Sequence, residues 1–200
     1  MYTGPVSLML GFHGCDKEVG ERVLQGGIRH LHKSENEYDW LGHGIYFWEN
    51  NPERARQFAE ERKGFPRSGK KPITTPFVIG AVIDPGNCLN LLESNSLRLL
   101  EDVYQFLREA HETARIPMPE NKVDAKTHEL LRRNLDCAVI ESLHTSNKER
   151  GVREYDTVRG VFVEGSCLYP NSGFHKRNHI QICVRNAQCI MGYFRLLTEG

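Results

Sequence analysis

FVIGAVI, residues 77–83, is the clearest strand in the chain and the strongest constraint on its fold. It is closed by Asp84-Pro85-Gly86, where proline presets one turn position and glycine supplies the next. Other strand-like runs flank it at a distance. VSLMLGFHG (6–14) and Ile45–Trp48 precede it, and VRGVFVEG, HIQICVRN and CIMGYFRL follow near the C-terminal end. Between the two groups, Leu99, Leu100, Val103, Phe106, Leu107 and Ala110 recur at three- and four-residue steps, the period of an amphipathic helix. Strands at both ends with helices between predict a single α+β domain over residues 1–200.

Local punctuation places the smaller helices. Asp16 is a candidate cap for a short helix carrying Val19, Val23 and Leu24, ended by Gly26-Gly27. Asn51 reads as an N-cap and Pro52 as the first helical residue, where its missing N–H costs least. Ala55, Phe58 and Ala59 form that helix's apolar face. A further helix is expected from Asp124, carrying Leu130 and Leu131, with another element around CAVIESL and a charged loop over TSNKERGVREYD.

Bulk properties exclude several classes of protein. Two hundred residues, 39% hydrophobic and 26% charged, suit one soluble globular domain. Zero formal net charge leaves no global field toward nucleic acid or an anionic membrane, so nucleic-acid binding would rest on local patches. No apolar run approaches the ~20 residues of a membrane span, and the N-terminus lacks a signal-peptide pattern. Six scattered cysteines without a CxxC pair point to a reduced, cytoplasmic setting. They also lack structural-zinc spacing, so no metal is expected. No G-x-S-x-G is present, and Cys15 beside His13 on one strand is no nucleophile–base pair.

Three patches carry the functional argument: FHG (12–14), GHGIYF (42–47) and HIQICVRNAQCI (179–190). In this order they resemble the diphtheria-toxin and poly(ADP-ribose)-polymerase branch of the ADP-ribosyltransferase fold, along most of the chain. The resemblance implies two antiparallel sheets forming a split sandwich with flanking helices, and NAD as co-substrate in the cleft between them. It implies that His13, Gly14, Gly44, Tyr46 and Phe58 contact NAD. His13 would bond a ribose hydroxyl, the Gly14 backbone would grip the nicotinamide amide, and Tyr46 would lie against the cationic ring. Phe58 stands in for the family's second aromatic, at a one-residue shift.

One departure bears on mechanism. The position of the family's catalytic glutamate is Gln181, which can accept a hydrogen bond from ribose but carries no charge. The implied catalytic set is therefore His13, Tyr46 and Gln181, with single ADP-ribose transfer as the outcome; Glu49, Glu154 and Glu164 are candidates for a separate base. The loop before the last catalytic strand sets Phe174 beside Lys176 and Arg177, a ring next to positive charge that suits single-stranded nucleic acid. RKGFPRSGKK (62–71) repeats that theme with Phe65. The acceptor implied is a macromolecule, nucleic acid ahead of protein, and small intracellular members of this fold often resemble toxins of toxin–antitoxin or phage-defence systems, the former implying an antitoxin partner. An NAD glycohydrolase and an inactive NAD-binding or interaction module are the competing readings.

Overall fold

A computed structural model of the protein describes residues 8–64, 72–124, 129–130 and 132–197. The expected α+β class is observed: four helices, a seven-stranded mixed sheet and a two-stranded hairpin among the described residues. In chain order the elements are β1 (Met9–Asp16), α1 (Lys17–Leu24), β2 (Ile45–Glu49), α2 (Pro52–Gly64), β3 (Pro76–Ile83), β4 (Cys88–Asn90) and α3 (Ser94–Ala114). Then come β5 (Asn121–Lys122), β6 (Arg132–Arg133), α4 (Asn134–Glu149), β7 (Thr157–Phe162), β8 (His179–Val184), a 3-10 turn (Ala187–Cys189) and β9 (Ile190–Arg195).

The predicted local signals form as argued. Asp16 caps α1, its Oδ1 accepting the Glu18 N–H at 3.0 Å, while Oδ2 takes N–H groups of Thr74 and Thr75. Those bonds hold its carboxyl down at about 2. Asn51 Oδ1 accepts from Arg54 N at 2.9 Å over the first turn of α2. Gly86 takes the left-handed conformation, φ 56°, that closes the turn after β3.

The helix expected from Asp124 is corrected. The described segment there is the β5–β6 hairpin, and α4 begins at Asn134 and runs through CAVIESL into residues expected as a charged loop. A distant residue explains the start. Asn121 Oδ1 accepts from Leu135 N at 2.9 Å and Asp136 N at 3.3 Å, satisfying N–H groups that open the helix. A cap supplied from another element leaves no mark next to the helix it caps.

The main sheet runs β4-β7-β8-β2-β1-β3-β9, antiparallel except for the β4–β7 pair. In place of two separate antiparallel sheets there is one, because β1 and β2 pair at Gly11–Glu49 and Phe12–Trp48. That joint is short. On one side lie β1, β3 and β9, on the other β2, β8, β7 and β4, and each group is paired over longer stretches internally.

Both faces are covered. On the first, Val23 of α1 packs with Cys15, Ile45, Phe47, Ile79, Ile83 and Ile182. On the second, α2 places Ala55 and Phe58 against Phe12, Trp48 and Val78, while α4 places Ile140 and Leu143 against Leu41, Val158 and Phe162. The close approach of α2 requires glycine beneath it: a Cβ on Gly14 would stand 2.1 Å from the Ala55 carbonyl oxygen. Gly14→Ala should therefore cost about 2–3 kcal/mol, read as a lower urea midpoint. An unchanged midpoint would show that α2 does not rest on this strand.

Candidate functional site

The strands carrying the three motifs are neighbours, in the order β8-β2-β1. Segments more than a hundred residues apart thus meet at one place in the sheet. The β1–β2 joint sets its geometry. Leu10 O accepts from Asn50 N at 2.9 Å, so the backbone groups of Leu10, Phe12 and Gly14 point toward β2. Pairing of the two strands ends at Phe12–Trp48, which leaves Gly14 outside the β1–β2 ladder.

His13 stands where the two strands part. Its Nδ1 lies 2.7 Å from the Tyr46 carbonyl oxygen, so Nδ1–H donates there and Nε2 is left as an acceptor. The ring meets Phe47 edge-on at 5.9 Å. Burial pushes the imidazole below its ordinary value, which keeps it neutral.

The predicted residues do not all share a face. Phe12 and Trp48 are cross-strand partners, and Trp48 is in turn paired with Gln181 and Tyr46 with Cys183. Pleating therefore puts Tyr46, Trp48 and Gln181 on the α2–α4 face and His13, with Phe47, on the α1 face. The Tyr46 hydroxyl accepts from Leu41 N at 2.9 Å and donates to Gly42 O at 2.7 Å, closing the loop before β2. Burial raises this phenol well above its ordinary range. Gly44 has its own packing reason, since a Cβ there would lie 2.4 Å from Cys183 Sγ. Phe58 packs on Trp48, ring centroids 5.0 Å apart, beneath the Arg62 guanidinium.

Around Gln181 the structure assembles a polar cluster in which, of the other members, only Glu164 was singled out in the sequence. Gln181 Nε2 is 3.1 Å from His179 Nε2, and His179 Nδ1 is 2.7 Å from Arg177 O. Glu164 Oε2 lies 3.7 Å from the same Nδ1 and 3.2 Å from Arg54 Nη2. Arg54, Glu164, His179 and Trp48 are all buried, and the Arg54 guanidinium lies over the Trp48 ring at 5.7 Å. The available signal was strand alternation: His179 is two residues from Gln181, and Trp48 two from Tyr46. Arg54 has no such signal, because an arginine next to an apolar helix stripe ordinarily faces water.

No protein-family model, curated protein or solved structure matches the chain.

The three candidate carboxylates have different fates. Glu49 is held by Arg159 in a two-pronged pair of 2.6 and 2.9 Å, on the α1 face. Glu154 is half-exposed, 3.9 Å from His144. Glu164 alone lies in the Gln181 cluster, and burial raises its carboxyl above the ordinary value despite the opposing Arg54.

Cysteine nucleophiles are unpromising in this core. Burial pushes Cys15 up to about 12 and Cys137 and Cys189 to about 11. Such thiols stay protonated at neutral pH and are poor nucleophiles. Among the described residues, no three His, Cys, Asp or Glu side chains are placed to hold a metal ion, and no helix is long and apolar enough to cross a membrane.

The acceptor-side residues divide. Phe174 is 62% exposed, and Lys176 is exposed beside it in the loop leading to β8. Arg177 is engaged, 3.1 Å from Glu61 and 3.5 Å from Glu129, which ties the loop to α2 and neutralises its charge. In the second basic loop, Phe65 and residues 66–71 lie outside the described residues.

Proposed function

We propose that this chain is an NAD-dependent mono-ADP-ribosyltransferase built on the ADP-ribosyltransferase fold. The observation that carries the reading is the convergence of FHG, GHGIYF and HIQICV on adjacent strands, with His13 and Gly14 at the point where β1 and β2 part. A small ligand lying on one face of the sheet would meet either His13 or Gln181. An extended dinucleotide bound where the strands part would contact both. This also divides the roles. Tyr46 contributes its carbonyl, which fixes His13, and a ring tethered on the far face.

In this reading the Gly14 backbone holds the nicotinamide amide, and His13 Nε2 accepts a ribose hydroxyl. Gln181 Oε1 accepts another. The bond between ribose C1′ and the nicotinamide nitrogen breaks, its electron pair leaving with neutral nicotinamide, and C1′ gains oxocarbenium character. The acceptor's nucleophile forms the new bond to C1′ and releases its proton. Gln181 stabilises the cation less than a carboxylate would, since a charge-assisted hydrogen bond is about twice as strong as a neutral one. Single transfer follows, because an amide cannot serve as the base for polymer growth.

The exposed Phe174–Lys176 pair favours a nucleic-acid acceptor over protein through stacking and backbone charge. Six free cysteines suit a reduced cytoplasm. A toxin-like effector there would be held in check by a protein antitoxin.

Labelled NAD incubated with the protein and a cell extract should leave label on a macromolecule, and nuclease or protease digestion then identifies it. Gln181→Ala should lower transfer by about tenfold or more. Free ADP-ribose as the sole product would make the protein a glycohydrolase. Absence of NAD consumption would make it a binding module.

A further inference from the structure

The His179–Gln181 contact is chemically one-sided. His179 Nδ1 faces two acceptors, the Arg177 carbonyl at 2.7 Å and Glu164 Oε2 at 3.7 Å, so Nδ1 carries the proton. In a neutral ring Nε2 is then a bare acceptor. The Gln181 atom beside it must be a donor, which is the NH2 group found there at 3.1 Å. The amide oxygen is therefore turned away from His179.

We propose that His179 is a positioning residue that holds the Gln181 amide with Oε1 toward the ligand and NH2 toward the protein. The inference rests on the reading of Gln181 as the ribose-binding group. A glutamine replacing a carboxylate has a problem that the carboxylate lacks, because only one of its two terminal atoms accepts a hydrogen bond. A half-turn of the amide would present a donor to the developing cation. The fixed tautomer of His179 removes that choice. Packing holds the ring itself, against Phe162 at 5.6 Å and Trp48 at 6.2 Å. Burial, reinforced by the nearby Arg54 and Arg177 charges, pushes the imidazole down to about 4, so the tautomer persists at neutral pH.

Two variants separate orientation from scaffolding. His179→Gln can place an acceptor where Nε2 stands, but loses the donor to Arg177 O. His179→Asn can keep that donor and has no group reaching Gln181. Steady-state ADP-ribose transfer should stay within about threefold of wild type in H179Q and fall roughly tenfold in kcat in H179N, with a smaller change in KM for NAD. Equal rates in the two variants, or a larger loss in H179Q, would overturn the proposal.

Nitrogen-15 NMR of the wild-type protein decides the tautomer without any turnover. A protonated Nδ1, and a coupling between the Gln181 side-chain nitrogen and a bare Nε2, is the expected result. A proton on Nε2 would refute the orientation even in an active enzyme. Lack of NAD consumption alongside the expected spectrum would instead refute the transferase reading and with it the catalytic purpose of this geometry.

Discussion

Acidification from about pH 7.5 to about pH 4.5 should remove about 5 kcal/mol of folding stability, most of it through two histidines. His144 and His179 are 3% and 6% exposed. Burial is the main reason that each is pushed down to about 4 from an ordinary 6.5, with the Arg185 charge adding to the effect at His144. Among the described residues His144 has no hydrogen-bond partner at either ring nitrogen, Glu154 standing 3.9 Å away, and it meets Tyr155 edge-on at 6.0 Å.

Below pH 6.5 the unfolded chain takes up a proton on each imidazole, whereas the native chain does not until about pH 4. The unfolded state binds more protons throughout that window, so stability falls as pH falls and the loss levels off below it. His13 acts in the same direction, and Glu164, raised by burial, partly offsets it. The depressed carboxyl of Asp16 belongs to a lower window. Its contribution is complete above the ordinary 3.8 and is lost only as pH falls toward 2. Urea unfolding across this range is the measurement, and His144→Phe should remove about half of the slope. A stability flat between pH 7 and 5 would contradict the buried neutral imidazoles.

Arg54→Met should cost about 3–5 kcal/mol, far more than an arginine on a helix normally contributes. Arg54 is 7% exposed and Glu164 9%, and their 3.2 Å bond joins α2 to the segment leaving β7. Taking the guanidinium away leaves a carboxylate in a poorly solvated place. It also strips the Trp48 ring of its overlying cation. The double variant Arg54→Met, Glu164→Gln should recover most of the loss, because no uncompensated charge then remains buried. Chemical denaturation of the single and double variants closes the cycle. A single-variant cost below about 1 kcal/mol, or a double variant no better than the single, would show that the pair is solvated and structurally minor.

The elements that could be read from the chain are those whose cause is local. FVIGAVI became β3, Asp16 and Asn51 capped their helices, and Asp84-Pro85-Gly86 turned, because each signal acts within a few residues of itself. The start of α4 escaped, since Asn121 caps it from another element. So did Arg54, whose burial depends on a carboxylate 110 residues away. At the candidate site the chain identified the three strands but not the facing of their side chains. His13 and Tyr46 look alike as motif residues, yet one lies with Phe47 and the other with Cys183.

Apolar period, capping residues and turn chemistry by themselves determined the six longer strands of the main sheet and helices α1 to α3, because those preferences are settled within a turn or two of backbone. Only the tertiary structure decided that β8, β2 and β1 lie side by side, that β1 and β2 part after two residue pairs, and that Gln181 shares a face with His179 and Trp48 rather than with His13. Strand neighbours and register come from pairing between distant segments, and a shift of a single residue reverses every side chain.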